Sequence, residues 1–277
     1  MRSFTGIAVA RMAPGDDEMH SRLSTYLHPL AGRPLVWHTL TALRSLDPPS
    51  GRLWLAAGME MNADLLGEVM ADFAVFSAAA AGDSLAAPPL SGPVLLVDAA
   101  APAAAPILRL LIEEPEGTAV PAPDGRVAAA LVRGEDAREI LESGGGMDDL
   151  AARVALRFLD PHPAVTIVSD RRTLAFASRQ IRDRTVERLM AGGVTFLLPE
   201  TVLVDVDVRV GRDTIIYPGV VIEGSTTVGE ETVIGPACRI IDSWIGSGVE
   251  LKGWNFISRS SVRNRAILEP YVRRGFD

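Results

Sequence analysis

The sequence predicts an α/β domain with a mostly parallel sheet, followed from about residue 194 by a parallel β-helix. The first domain is predicted by short apolar runs that alternate with amphipathic segments along the N-terminal two thirds of the chain. The second is predicted by aliphatic residues that recur at every sixth position in the C-terminal third. A chain of 277 residues is long enough for both, since single domains typically contain about 100–200 residues.

The six-residue spacing is the strongest signal in the chain. Seven aliphatic residues follow it without interruption: Val204, Val210, Ile216, Ile222, Val228, Ile234 and Ile240. Neither an α-helix nor a flat β-strand has this period, whereas a parallel β-helix uses one short strand and one turn per hexad. Small residues such as Gly211, Gly229 and Gly235 follow the aliphatics directly. A β-sandwich of short strands is the alternative, and the fixed spacing disfavours it.

The repeat continues beyond Ile240 after a change of spacing. The next aliphatic, Ile245, comes one residue early, and the spacing resumes to Ile257 before becoming irregular. We interpret Asp242–Trp244 as a bulged corner and not as the end of the domain. Counting hexads predicts about four coils.

The N-terminal domain is predicted from apolar runs and from the helical patterns between them. Buried strands are predicted at Thr5–Ala10, Leu53–Ala57, Ala74–Ser77, Val94–Val97 and Val127–Val132. Helices are predicted at Leu35–Leu43, Met61–Met70, Ile107–Ile112 and Asp136–Leu141. Residues 11–25 and 78–93 are predicted loops, and Gly144–Gly146 a flexible break.

A long amphipathic helix is predicted at about residues 171–192, where apolar residues recur at helical spacing before Gly192 and Gly193. This helix links the two domains, which are predicted to comprise residues 1–193 and 194–277. It carries an arginine cluster suited to phosphate binding: Arg179, Arg182, Arg184 and Arg188. Interleaved Asp183 and Glu187 favour a solvated, salt-bridged face instead.

Composition excludes several classes of protein. The net charge of −8 argues against non-specific nucleic-acid binding. The sequence contains no run of about eighteen apolar residues, so no membrane span is predicted. The first twenty residues lack the pattern of a secretory signal. The single cysteine, Cys238, excludes an internal disulfide and fits a reducing cytoplasm. Its place in the repeat indicates a core or turn residue and not a nucleophile.

Basic residues are almost all arginine, and the only lysine is Lys252. Chemistry that requires a lysine ammonium is therefore excluded from the N-terminal domain. Near the end of the repeat, Lys252, Trp254 and Phe256 indicate either a ligand or partner surface, or residues that cap the last coil or line a trimer interface. The second interpretation is favoured.

Three segments together resemble one family: LHPLAGRPLVWH at Leu27–His38, SDRRTLAFASRQIRDRTVERLMAGGVTF at Ser169–Phe196, and DVDVRVGRDTIIYPGVVIEG at Asp205–Gly224. In this order they resemble the bifunctional N-acetylglucosamine-1-phosphate uridyltransferase / glucosamine-1-phosphate acetyltransferase family, over nearly the whole chain. The resemblance implies a Rossmann-like nucleotidyltransferase domain, a connecting helix, and a left-handed β-helix that assembles as a homotrimer. It also implies a sugar nucleotide, UDP-N-acetylglucosamine, as ligand.

The sequence departs from this family in the nucleotide-binding loop. The family loop has the form L-A-A-G-x-G-T-R-M followed by L-P-K-V-L-H, where glycines allow close backbone approach and the two cations neutralise the triphosphate. Here Glu18 occupies the arginine position and Thr25 the lysine position, and Pro14 and Asp16 replace the glycines.

Three consecutive acids, Asp16, Asp17 and Glu18, would face the triphosphate. Two like charges about 4 Å apart repel by ~4 kcal/mol at an effective dielectric near 20. Without magnesium between them, UTP is expected to be repelled. A solvated acidic loop is favoured over a new metal site.

The family's magnesium ligands are also replaced. Matching Pro102 to the proline of the family's Y-G-D-x-P places Ala100 at its aspartate, and Ser169 takes the place of its asparagine. Asp98 would lie on the same strand face as Ala100 and is the fallback metal ligand. The resemblance leaves weak candidates for nucleotide binding: Met12, Ala13, Gly82 and Asp83, with Ser77 at the family glutamine.

These departures predict a degenerate homologue. Phosphoryl-type transfer depends on positioning and charge neutralisation, so no uridyltransferase activity is expected. No acetyltransferase activity is expected either, because the family's catalytic histidine lies beyond the segment resembling Leu268–Asp277 and all four histidines here precede the repeat.

The leading hypothesis is a sugar-nucleotide binder or a scaffold or regulatory subunit, with no cofactor and with an unknown protein partner. The alternative is an active nucleotidyltransferase of the UDP-N-acetylglucosamine pyrophosphorylase type, with magnesium in a remodelled site and arginines in place of the lysine. A third hypothesis is a purely structural oligomerisation protein.

Overall fold

The computed structural model describes residues 3–11, 18–48, 53–57, 67–76, 88, 90–102, 105–162 and 165–275. The chain divides into two compact units, Met1–Ala177 and Ser178–Asp277. The division falls inside helix α5 (Arg171–Ala191), the predicted linking helix, whereas the sequence placed the boundary just after it.

The first unit is an α/β fold in which five strands closely follow the predicted apolar runs. Its strands are β1 (Thr5–Ala10), β2 (Pro29–Leu30), β3 (Arg33–Pro34), β4 (Leu53–Ala57), β5 (Ala74–Phe76), β6 (Val94–Asp98), β7 (Thr118–Pro121), β8 (Val127–Val132) and β9 (Arg157–Phe158). Its helices are α1 (Leu35–Arg44), α2 (Ala105–Glu113), α3 (Gly134–Glu142) and α4 (Met147–Arg153), with α5 starting in this unit. Short 3₁₀ helices span Thr25–Leu27 and Gly67–Asp72. Most of the predicted helix Met61–Met70 lies outside the described residues.

The main sheet has the strand order β5-β4-β1-β6-β8-β7-β9. Strand β1 pairs in parallel with β4 and β6, and β5 pairs in parallel with β4. All six residues of β1 are buried, as expected for a central parallel strand. The predicted α/β class is therefore confirmed.

Strand β8 is the exception within the mostly parallel sheet, because it runs antiparallel to both β6 and β7. Strand β7 was not predicted, yet it joins β8 through a tight turn that contains Asp124 and Gly125. Gly125 has φ +88°, a conformation that favours glycine. An Asp-Gly pair between two apolar runs is a hairpin signal, and a hairpin requires antiparallel strands.

A second element that the sequence analysis missed is α4, which follows the predicted flexible break. The Asp149 carboxylate accepts a hydrogen bond from the Gly146 N–H at 2.9 Å and so caps the helix. Met147 and Leu150 are buried in the hydrophobic core beside Ile7 and Leu96. The glycines thus start a helix that packs on the sheet.

The second unit is a run of short parallel strands. Its strands are β10 (Thr195–Phe196), β11 (Leu203–Val204), β12 (Arg209–Val210), β13 (Ile215–Ile216), β14 (Val221–Glu223), β15 (Thr227–Val228), β16 (Val233–Ile234), β17 (Arg239–Ile241), β18 (Trp244–Ile245), β19 (Glu250–Leu251), β20 (Phe256–Ser258), β21 (Ser261–Val262), β22 (Ile267–Leu268) and β23 (Arg273–Arg274). Each strand pairs in parallel with the third strand along the chain. Three stacked sheets result: β10-β13-β16-β19-β22, β11-β14-β17-β20-β23 and β12-β15-β18-β21. This arrangement is the predicted parallel β-helix.

The six-residue spacing places one aliphatic per strand inside the coil. Val204, Ile222, Ile240 and Ile257 are aligned on successive strands of one sheet. All four are buried, and together with the other inward aliphatics they form one hydrophobic core. The period of the sequence therefore sets the strand register directly.

The shortened step after Ile240 recurs one coil later, between Ile257 and Val262. Because Ile240 pairs with Ile257 and Ile245 pairs with Val262, both short steps turn the same corner. The stretch that looked irregular in the sequence is thus a second five-residue corner.

Cys238 belongs to the core of the β-helix, as predicted. Its side chain is buried, and its thiol donates a hydrogen bond to the Asn255 Oδ1 atom at 3.6 Å. Burial raises the pKa of the thiol. Less thiolate at neutral pH makes the residue a poor nucleophile.

The residues near the end of the repeat contact their neighbours in the next coil. The Lys252 ammonium pairs with Glu269 at 2.8 Å, and the exposed Trp254 ring stacks on Tyr271 with centroids 5.7 Å apart. The Arg273 guanidinium lies 5.2 Å from the centroid of the Phe256 ring. These contacts join successive coils at the end of the repeat, and a role as a cap, trimer interface or partner surface stays a prediction.

Among the described residues, no helix combines the length and apolar character needed to cross a membrane.

Candidate functional site

The candidate site lies at the edge of the sheet where β1 and β6 end. Ligands of open parallel sheets bind outside the carboxyl ends of the strands. Strand β1 ends at Ala10 and β6 at Asp98. The candidate nucleotide-binding residues lie outside the described residues: Met12, Ala13, Gly82 and Asp83. Three positions at which the family residue is replaced also lie outside them: Pro14, Asp16 and Ser77.

Asp98 is the last residue of β6 and is half-buried. Its Oδ1 atom accepts a hydrogen bond from the Ala100 N–H at 2.8 Å. Burial raises the pKa of this carboxyl to about 7, while the Ala100 N–H and the Arg126 charge oppose the rise. Asp98 therefore changes its charge near neutral pH and is a candidate functional group.

Ala100, at the predicted family position of the metal-binding aspartate, offers only a buried methyl group. Its carbonyl oxygen accepts a hydrogen bond from the Val168 N–H at 2.9 Å. The turn is also held by the Thr39 hydroxyl, which donates to the Ala101 carbonyl at 3.0 Å. The backbone here is occupied by structural contacts.

The backbones of Ser169 and Glu18 are in contact. The Glu18 N–H donates to the Ser169 carbonyl at 3.0 Å, and the Glu18 side chain is exposed. The Thr25 side chain is buried in the 3₁₀ helix, and its hydroxyl has no hydrogen-bond partner among the described residues. A buried neutral hydroxyl at the lysine position cannot present charge to a phosphate.

Arg126 is the site residue that sequence reasoning missed. Its Nη2 atom donates to the Ser169 hydroxyl oxygen at 3.2 Å, and its Nε donates to Asp124 at 2.9 Å. Its charge also lowers the pKa of Asp98. The Asp-Gly-Arg sequence of the β7–β8 hairpin contained the signal, since such a turn places Arg126 directly before β8.

The arrangement does not fit the family's two-ligand magnesium site. Mg²⁺ is usually held by one or two carboxylates together with substrate phosphates, at near-octahedral geometry. Asp98 supplies one half-protonated carboxyl, while the Ser169 hydroxyl is bonded to a cation. The described residues contain no group of three or more histidine, cysteine, aspartate or glutamate side chains that would hold a metal ion.

The arginines of α5 are largely engaged within the protein. Arg182 pairs with Asp183 and donates to the Glu200 carbonyl at 2.9 Å. Arg184 donates to the Gln180 carbonyl at 3.3 Å, and Arg188 to the Val206 carbonyl at 3.3 Å. Of the predicted salt-bridged face, the described residues show the Arg182–Asp183 ion pair, while Arg184 and Arg188 bond backbone carbonyls.

Comparison with known proteins shows where the sequence has relatives. No protein-family model matches the chain. It is 42% identical over 138 residues to the bifunctional protein GlmU of Geobacillus sp. strain WCH70, covering 50% of this chain and 28% of that protein. It is 39% identical over 114 residues to GlmU of Alkaliphilus oremlandii, covering 41% and 25%. With GlmU of Thermotoga maritima the identity is 40% over 103 residues, covering 37% and 23%.

One solved structure similar to this chain is 4-diphosphocytidyl-2C-methyl-D-erythritol synthase from Anaerococcus prevotii. The similarity covers 65% of this chain and 98% of that one, with a TM-score of 0.42 and 12% sequence identity. The chain spans about a quarter of the length of the GlmU relatives it matches. Several GlmU proteins are thus 36–42% identical to this chain, over up to about half of its length.

Proposed function

We propose that this protein is a degenerate nucleotidyltransferase homologue that binds a sugar nucleotide or serves as a scaffold or regulatory subunit. The similarity to GlmU supports a nucleotidyltransferase-like function in the broad sense. The observation that carries the narrower proposal is the Ser169 hydroxyl bonded to Arg126, with a buried methyl at Ala100. At those two positions the site offers no free metal ligand.

Charge balance supports the absence of uridyltransferase activity. Transfer of a nucleotidyl group requires the charge of the triphosphate to be neutralised. Here Glu18 adds a negative charge, Thr25 is buried, and Arg126 is already paired with Asp124 at 2.8 Å. Residues 194–277 contain no histidine, so we propose that these residues supply no imidazole base for acetyl transfer.

One observation favours the alternative function, an active nucleotidyltransferase with a remodelled site. Asp98 ends a central strand at the expected edge, next to the charge of Arg126. A bound magnesium ion would favour the ionised form of this carboxyl. The two functions therefore differ in whether ligand binding needs magnesium.

Calorimetric titration with UDP-N-acetylglucosamine and with UTP, each with and without magnesium, separates them. We expect UDP-N-acetylglucosamine to bind equally with and without magnesium, and UTP plus N-acetylglucosamine-1-phosphate to yield no pyrophosphate. Arg126→Gln is expected to weaken binding of the sugar nucleotide, because it leaves the Asp124 carboxylate unpaired and adds an unbalanced negative charge near the site. Arg179→Gln, which changes an exposed arginine of α5, is the matched control.

Two other outcomes would contradict sugar-nucleotide binding by a degenerate homologue. Magnesium-dependent formation of a UDP-sugar that is lost in Asp98→Asn would reject the degenerate function and establish the alternative. Absence of any sugar-nucleotide binding would leave the scaffold role and direct the search to protein partners.

We also propose that the protein assembles as a homotrimer through its β-helix. Large apolar side chains on the outside of the strands support this, for example Leu203 and Trp244, which are 53% and 47% exposed. Light scattering at micromolar concentration is expected to give about three times the chain mass of 29.5 kDa. A monomer under these conditions would contradict it.

Location in the cytoplasm stays a prediction from the cysteine content.

A further inference from the structure

A pocket of about 310 Å³ lies beside the β7–β8 hairpin. Three segments of the first unit line it: the hairpin turn, the stretch before α5, and the first two turns of α5. The lining residues are Ala122, Pro123, Asp124, Thr166, Ile167, Arg172, Thr173 and Phe176. Its volume is at the lower end of the range for small-molecule sites, about 300–1,000 Å³. Asp98, Ala100 and Ser169 are not among these lining residues.

The walls of this pocket are mainly apolar. Ile167 is buried, whereas the Phe176 side chain is 43% exposed although it is a large aromatic. Aromatic surface left in water is unfavourable, and a ligand that covers it gains the hydrophobic free energy. An apolar, ring-shaped body would therefore pack against Phe176.

One buried polar atom in the wall lacks a partner. Thr166 is 8% exposed, and its hydroxyl oxygen makes no hydrogen bond within the described part of the chain. A buried hydroxyl without a partner loses its water hydrogen bonds and gains none in exchange. A polar atom of a ligand that reached Thr166 would restore that bond.

The charges at the pocket favour an anion. The Asp124 carboxylate is neutralised by Arg126 at 2.8 Å, and the Thr173 hydroxyl is bonded to Asp170. Arg172 is exposed and lines the pocket. Its charge acts on the neighbouring Asp170 carboxylate, but Arg172 takes part in no close ion pair among the described residues. Guanidinium groups bind carboxylate, sulfonate and phosphate groups through charge-assisted hydrogen bonds.

We infer that this pocket binds a small amphiphilic anion. Its apolar ring packs against Phe176 and Ile167, its acidic group lies at Arg172, and a polar atom reaches the Thr166 hydroxyl. This site is independent of the sugar-nucleotide function proposed above. It touches that site at one point, because Asp124 holds Arg126, which bonds Ser169.

The test uses 1-anilinonaphthalene-8-sulfonate as the probe, with fluorescence titration of the whole chain. We expect saturable binding of one probe per chain. Arg172→Gln is expected to weaken it about tenfold through loss of a charge-assisted hydrogen bond. Arg179→Gln removes an exposed arginine of the same helix outside the pocket and is expected to leave the affinity unchanged.

Two further arms make the result specific. N-phenyl-1-naphthylamine has the same aromatic body without the sulfonate, and its binding is expected to be insensitive to Arg172→Gln. Phe176→Ala removes a partly exposed ring and is expected to weaken both probes. Circular dichroism of each variant confirms that it is folded. Non-saturable fluorescence, or equal affinity of the sulfonate in the native protein, Arg172→Gln and Phe176→Ala, would overturn the inference.

Discussion

Replacement of Ile240 by alanine is expected to lower the free energy of unfolding of the β-helix unit by about 2–5 kcal/mol. Ile240 is fully buried and is aligned between Ile222 and Ile257 of the neighbouring coils. Its strand is hydrogen-bonded on both sides, so the coils cannot close around the cavity that the missing methyl groups leave. Urea denaturation followed by far-ultraviolet circular dichroism measures the change.

Ile267→Ala is the matched control, since it removes the same atoms from the same fold. Ile267 lies in β22 with its side chain 61% exposed. A surface change of this kind alters stability by roughly 0.5 kcal/mol or less. Equal losses in the two variants would show that the inward and outward positions of the hexad had been assigned wrongly.

The second large effect concerns Asp98→Asn, which is expected to stabilise the α/β unit at pH 8. Burial raises the pKa of this carboxyl from 3.8 to about 7, so the fold favours the neutral form. Ionisation at higher pH therefore costs stability, by at most about 4 kcal/mol at 1.36 kcal/mol per pKa unit. Asparagine is always neutral, and its side-chain oxygen keeps the hydrogen bond from the Ala100 N–H.

The sign of the effect fixes its pH window. For a carboxyl with a raised pKa, the stabilising contribution is complete below about pH 4 and is lost as the pH rises through about 7. The native protein and Asp98→Asn should thus unfold at similar temperatures near pH 4 and at different temperatures at pH 8. Asp160→Asn, at an exposed position, serves as the control. Lower stability of Asp98→Asn at pH 8 would contradict the prediction.

Magnesium adds a link to function in the same experiment. If Asp98 held a magnesium ion, the ion would stabilise the ionised native protein and would not stabilise the variant. For the degenerate function, we expect magnesium to leave both unfolding temperatures unchanged.

The β-helix was predictable because its signal is local and periodic. An aliphatic at every sixth residue from Val204 to Ile240 sets both the strand positions and their stacking, with no information needed from distant parts of the chain. Most strands of the α/β unit were predictable for a similar reason, since runs such as Val127–Val132 are apolar throughout. The replaced family positions were also visible in the sequence, because they depend only on residue type.

Features that depend on contacts between distant residues were not predictable. The bond between Arg126 and Ser169 joins residues 43 positions apart, and the antiparallel direction of β8 depends on pairing with two other strands. The raised pKa of Asp98 comes from burial that only the packed sheet provides. The sequence by itself determined the repeat and the residue types at the candidate site. The tertiary structure decided which charges meet and which side chains are buried, because packing sets both solvent exposure and the distances between charges.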